Sequence, residues 1–298
     1  MQSADFLSAV FFYLKVGENL NQNWIVENLN NAFSTWNGNL GELWGLVTTG
    51  PQTFKGGAVW SVMQTLHNGM VGIGYALVVL FFAISLCKNT MNFHELKRPE
   101  AAIHYFLRFV AAKALVGYGM DIMLNVFSIC NGIVTDMADS MGGISEAMVS
   151  LPAEMQTAIE NVGFLASIPL WLVTILGSLF ITVLSFVMIL TVYGRFFRLY
   201  MYTALAPLPL AAFAGESTQS VGISFLKSYV GVCLEGAVIV LACIIFSAFS
   251  SSGTPVIDSS ASVVTQVWSY LGEVVFNLLV LVGLVKSADH IAKEMLGL

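Results

Sequence analysis

An all-α integral membrane protein is the fold class this sequence predicts, and three observations predict it. The 298 residues are 57% hydrophobic and only 10% charged, with a mean hydropathy of +0.79, whereas soluble domains carry about a quarter charged residues. The apolar residues are gathered into runs that approach or exceed the roughly 20 helical residues a bilayer crossing needs. Almost every lysine and arginine sits where one face of a membrane would hold it. So little sequence lies outside the apolar runs that a large soluble enzyme domain has no room.

Residues 1–65 are expected to form an extracytoplasmic amphipathic region and not a span. Phe6, Val10, Tyr13 and Leu14 share a helical face, but the patch from Ala4 to Val16 is too short to cross. Lys15 follows it and no small-residue cleavage site closes it, so no cleavable signal is expected. In the asparagine-rich stretch beyond, Ile25, Leu29, Phe33, Trp36, Leu40, Leu43 and Val47 recur at intervals of three and four, as one face of a helix does. Such a helix either lies on the membrane surface or docks neighbouring subunits.

The polytopic region, 66–298, is read as crossings at about 66–87, 109–134, 164–193, 229–250 and 263–285. In the first, Gly72 and Ala76 form a small-xxx-small pair suited to close helix contact. In the third, Thr174, Ser178, Thr182 and Ser185 place small hydroxyls on one stripe, for helix packing or for a polar lumen. The tail from Lys286 to Leu298 reads as a short amphipathic helix.

Between the third and fourth crossings the apolar run 199–214 is broken by Pro207 and Pro209. It is too short for an ordinary span, and two prolines remove helix donors and clash with earlier carbonyls. Freed backbone groups cannot face lipid, so 199–214 is expected to be a bent, re-entrant element packed inside protein. If it enters and leaves by one face, ten of the twelve lysines and arginines share that side and only Lys15 and Lys55 are left opposite. This gives an outside N-terminus, an inside C-terminus and Arg195, Arg198 and Lys227 as cytoplasmic anchors.

Three carboxylates fall at membrane depth. Asp121 and Glu273 lie roughly 15–18 Å along straight helices from their starts, and Glu235 about 9 Å. Each costs on the order of 3 kcal/mol in lipid, so each should face protein or water. Asn125 and Asn277 follow Asp121 and Glu273 by four residues and offer local partners. These groups either fix helix register by hydrogen bonds or border an acidic, proton-responsive conduit.

No phosphate-binding loop, HExxH, GxSxG or paired Cys/His ligand spacing is present. Cys87, Cys130, Cys233 and Cys243 sit in or beside apolar runs as small hydrophobes. His67, His94, His104 and His290 are scattered and read as interfacial or solvated. No catalytic residue, metal or cofactor is expected, and the few basic residues make no duplex-sized phosphate footprint.

The phrases RFFRLYMYTALAPLPLAAFAGE from Arg195, SFLKSYVGVCLEGAVIVLA from Ser224 and VKSADHIAKEMLGL from Val285 resemble the TrbL-like polytopic membrane subunits of conjugative type IV secretion systems. These are related to the sixth VirB protein, and the likeness is to the forms of Gram-positive integrative conjugative elements. It covers roughly residues 60–298, with 185–298 the most specific and the first 65 residues least similar. The resemblance implies a subunit of the inner (cytoplasmic) membrane that forms a homo-oligomeric ring, a pentamer being one stoichiometry. It implies contact with other secretion subunits, including cytoplasmic ATPases, with membrane lipid, and transiently with single-stranded DNA and its relaxase. Two other readings stay open: a secondary transporter or ion channel built on Asp121, Glu235 and Glu273, and a non-conducting assembly scaffold.

Overall fold

The structure, a computed structural model, describes residues 2–90, 99–140, 148–251 and 261–298. Among them are nine α-helices and no strand. They are α1 (Gln2–Thr48), α2 (Ala58–Thr90), α3 (Pro99–Gly117), α4 (Gly119–Ser140), α5 (Ala153–Glu160), α6 (Phe164–Leu205), α7 (Pro207–Ala211), α8 (Gln219–Ser251) and α9 (Val263–Met295). Among the described residues four stretches are long and apolar enough to cross a membrane: Phe54–Lys88, Ser167–Leu205, Gln219–Phe249 and Val263–Met295. The bent pair α3–α4 makes up to five. Lys97, Arg98, His94 and Glu146 fall outside the described residues, as do the side chains of Phe6, Val10, Tyr13 and Leu14.

The helices divide into two compact units. The first takes Met1–Trp44, Gly143–Thr191 and Ala242–Lys286. Here Ile25, Leu29, Phe33, Trp36, Leu40 and Leu43 are all at most 2% exposed, so the periodic face of α1 is a packed face. Asn28 Nδ2 donates to Ser178 Oγ at 2.8 Å, and Asn39 Nδ2 to Ser185 Oγ. Asn37 clasps Val149 in both directions, its Nδ2 donating to the carbonyl (2.8 Å) and its Oδ1 accepting from the amide (2.9 Å). Amide side chains on an otherwise apolar helix thus fix its position by specific bonds. Asn28→Ala should lower stability by about 1 kcal/mol, the ordinary worth of one such bond, while Asn30→Ala, at an exposed position, should be neutral. Thermal unfolding in detergent reads the difference.

The second unit takes Gly45–Gly142, Val192–Leu241 and Ser287–Leu298. Its core gathers Val78, Val116, Met123, Phe127, Cys130, Leu199, Leu210, Tyr229 and Cys233. Four sequence expectations change here. The second crossing is not one straight helix over 109–134: α3 and α4 meet at Tyr118 with a 72° bend. Glycine on both sides permits close approach there, since a Cβ on Gly117 would lie 2.7 Å from Tyr75 Oη and one on Gly119 3.1 Å from Leu210 Cδ1. Asp121 therefore sits in the first turn of α4, where the helix dipole favours an acid, and not deep along a straight span.

The close contact on α2 also differs. Gly72 has open space around it, whereas a Cβ on Gly74 would lie 2.9 Å from both Pro207 O and Val116 Cγ1. Gly74 is where α2, α3 and α7 meet. Gly74→Leu should cost several kcal/mol by overpacking, and Gly72→Leu little; solubilisation yield and melting temperature of the two variants check this.

The proline element is shorter than expected. The helix α6 continues unbroken to Leu205, so Leu199–Leu205 are helical and only Ala206 onward departs. Pro207 then occupies the first turn of α7, where its missing N–H is no loss. In a continuing helix a residue with an N–H at position 207 would donate to the carbonyl of Thr203, and proline has none. His67 Nδ1 takes its place, 2.7 Å from Thr203 O, with the ring 2% exposed. Because a carbonyl only accepts, the proton is on Nδ1. The reading of His67 as solvated is thus corrected: it satisfies a backbone group that proline leaves free. His67→Ala should cost about 1–3 kcal/mol through that orphaned carbonyl, and His67→Gln less; unfolding in detergent separates them.

Candidate functional site

A long-range polar assembly of the second unit centres on two arginines one turn apart on α6. Arg195 is 0% exposed. Its Nε and Nη2 donate to the carbonyls of Val232 and Cys233 on α8, both at 3.3 Å, and Nη1 reaches the carbonyl of Val47 at 3.5 Å. Its guanidinium carbon stands 5.9 Å from the Phe127 ring centroid, within cation–π range.

The bond to Val47 belongs to a complete accounting of one helix end. The last four carbonyls of a helix have no partner inside it, and in α1 these are Gly45, Leu46, Val47 and Thr48. The Thr49 hydroxyl reaches Gly45 O (2.7 Å) and its amide Leu46 O (3.1 Å). Arg195 takes Val47 O, and Asn131 Nδ2 takes Thr48 O at 3.3 Å. A cation at a helix C-terminus also complements the dipole. Arg195 therefore joins the end of α1 to the middle of α8.

Arg198, on the same face, spans two carboxylates. Its Nη2 lies 2.6 and 2.7 Å from Glu235 Oε1 and Oε2, and its Nη1 2.8 Å from Asp289 Oδ1. Asp289 Oδ2 in turn meets Lys293 Nζ at 2.8 Å. The planar fork of a guanidinium suits two acids at once, which a lysine would not. Linked in the order Glu235, Arg198, Asp289 and Lys293, the four groups alternate in sign and, fully ionised, sum to zero. The chain clamps α6, α8 and α9 together.

Beside this assembly an open cleft of ≈ 550 Å³ is lined by Gly50, Pro51, Gln52, Asp121, Leu124, Asn125, Phe127, Ser128 and Asn131. Phe127 borders the cleft and also faces Arg195.

The sequence-predicted residues are distributed as follows. Glu235 and Arg198 are brought together; Arg195 is enclosed by carbonyls and an aromatic ring. The expectation that Arg195 reaches headgroups as an anchor is corrected, because its donors are consumed inside the protein. Lys227 is exposed on α8. Asp121 and Asn125 are exposed and face the cleft, with no hydrogen bond between them. Glu273 and Asn277, in the first unit, are half-buried and likewise form no local pair. Ser178 and Ser185 accept from α1 asparagines, and Thr174 and Thr182 return their hydroxyls to Trp171 O and Ser178 O of their own helix. Pro207 is buried and Pro209 half-buried. Among the described residues no group of three or more His, Cys, Asp or Glu could hold a metal ion.

Comparison with protein families finds one whose description is "TrbL/VirB6 plasmid conjugal transfer like protein", matching residues 36–207, more than half of the chain. The chain belongs to the TrbL/VirB6 conjugal transfer family. Comparison with curated proteins and with solved structures finds no match. The TrbL/VirB6 match begins inside α1, in the part taken as least similar, and ends at the first proline of α7. It thus covers Arg195 and Arg198 but not Glu235 or Asp289. With four to five membrane-capable stretches, this TrbL/VirB6 member is a multi-pass membrane protein and a type IV secretion subunit. The family is one of structural conjugation subunits.

Proposed function

We propose that this subunit sits in the cytoplasmic membrane as part of a homo-oligomeric ring, helping single-stranded DNA and its relaxase to cross under the drive of separate cytoplasmic ATPases. The family match is the observation that carries this reading. The proposed topology is N-terminus out and C-terminus in, with Lys227 on the cytoplasmic side. The arginine pair on α6 supports a scaffold role within the ring, since it ties helix ends and helix faces together. A transporter built on three carboxylates finds less support. Glu235 is committed to Arg198, while Asp121 lines the cleft, so these two do not converge on one cation.

Donor cells lacking the protein should lose conjugative transfer while relaxase nicking of the DNA persists. Transfer at the parental frequency would overturn the proposal, and proton or solute flux through the purified protein alone would favour the transporter.

A further inference from the structure

Asn131 on α4 carries a polar atom that the fold leaves over. Its Nδ2 donates to Thr48 O at 3.3 Å. Because a carbonyl only accepts, this bond fixes the amide's orientation and leaves Oδ1 as an acceptor. That oxygen is buried and has no hydrogen-bond partner among the described residues. An acceptor buried without a donor is costly, so the atom calls for a donor from outside the chain. Asn131 lines the ≈ 550 Å³ cleft, as does Asp121 ten residues earlier, roughly 15 Å away along the helix. Between them Asn125 and Ser128 also face the cleft, and these two and Asp121 make no hydrogen bond or ion pair among the described residues. Pro51, Leu124 and Phe127 supply apolar wall, and no lining residue is basic.

We propose that this cleft binds a linear aliphatic polyamine, with one ammonium at Asp121, another N–H donor at Asn131 Oδ1 and the methylenes along Pro51, Leu124 and Phe127. An ammonium donates and never accepts, which suits a wall whose unmet groups are a carboxylate and an orphaned carbonyl oxygen. An anion would meet Asp121 and find no counter-charge. A bare metal ion needs six or more oxygens within about 2.0–2.6 Å. The oxygens here are strung along α4, and among the described residues no group of three or more His, Cys, Asp or Glu could gather one. A single water satisfies Oδ1 but takes about 30 Å³ and brings no charge to Asp121. The cleft's volume falls within the roughly 300–1,000 Å³ of small-molecule sites. An extended tri- or tetra-amine alternates donors and methylenes over the length that separates Asp121 from Asn131.

The test is calorimetric titration of the full-length protein, in nanodiscs of zwitterionic lipid, with spermidine as the probe and butylamine and Mg²⁺ for comparison. Spermidine should bind saturably, and butylamine, with one ammonium, about tenfold more weakly or worse. Asp121→Asn should weaken spermidine about tenfold, the worth of one charge-assisted contact. Ser128→Trp, at an exposed position on the cleft wall, should fill the space and abolish binding. Asp136→Asn, exposed on α4 but outside the cleft, should change nothing. Asp121→Asn is near-isosteric at an exposed site, so it carries the test even where Ser128→Trp unfolds. Absence of saturable binding, which means a cleft holding water only, overturns the proposal. So does displacement of spermidine by Mg²⁺ at matched ionic strength, or equal weakening by Asp121→Asn and Asp136→Asn. None of these readouts depends on DNA transfer, so the family function stands or falls separately.

Discussion

Gly236→Val should destabilise the protein strongly. A Cβ at Gly236 would lie 2.6 Å from Cζ, Nη1 and Nη2 of Arg195, so no rotamer adjustment of the new side chain relieves the overlap. The guanidinium has to leave. Its departure strands the C-terminal carbonyl of α1 at Val47 and takes the charge away from the carbonyls of Val232 and Cys233 and from the Phe127 ring. Displacing a buried charge from its partners costs roughly 3–5 kcal/mol, and overpacking adds about 1–3 kcal/mol. Gly236→Ala carries the same clash and should show most of the effect. The decisive measurement is a double-mutant cycle with Arg195→Leu, read by thermal unfolding in detergent. With the guanidinium gone, the alanine at 236 occupies free space and should be tolerated far better than in the parent. Additive losses would mean that Gly236 does not make room for Arg195.

That dependence explains which parts of the fold were legible in the sequence. The inner face of α1 was, because Ile25 through Val47 repeat with helical period whatever they pack against. The lengths of the apolar runs were legible for the same reason. What apolar patterning does not encode is where an otherwise continuous run bends. Residues 109–134 read as one crossing, yet Gly117 and Gly119 let Tyr75 and Leu210 approach so closely that the helix restarts. Sequence marked small residues but not which one meets a neighbour, and the contact fell on Gly74, not Gly72.

Polar residues failed differently. Arg195 and Arg198 after a long apolar run look like headgroup anchors, because long basic side chains ordinarily snorkel. Their spacing of three puts both on one helical face, and Glu235 lies at membrane depth without a basic residue near it in the chain. That unpaired acid was the available signal for a partner elsewhere, and Arg198 is that partner. His67 gave no signal at all. Its role follows only from the carbonyl that Pro207 leaves unbonded 136 residues away.

Glu235→Ala should cost on the order of 3 kcal/mol, the usual loss when one member of a buried pair is removed. The side chain of Glu235 is 0% exposed and that of Arg198 28%, so water reaches only part of what is left behind. The companion change Asp289→Ala should cost clearly less. Asp289 is 28% exposed, its removal leaves Arg198 still held bidentate by Glu235, and Lys293 is free to turn to water. Glu235→Gln should fall between, retaining a hydrogen-bond acceptor for Arg198 but not the charge. Salt gives an independent handle. Raising ionic strength from about 0.01 to 1 M shrinks the screening length from about 30 to 3 Å. It should erode the Asp289→Ala penalty while leaving the Glu235→Ala penalty nearly intact, because ions do not enter the enclosed side of the pair. Equal penalties for the two alanines, or a Glu235 penalty that vanishes in salt, would place Arg198 at a solvated surface and remove the clamp between α6 and α8.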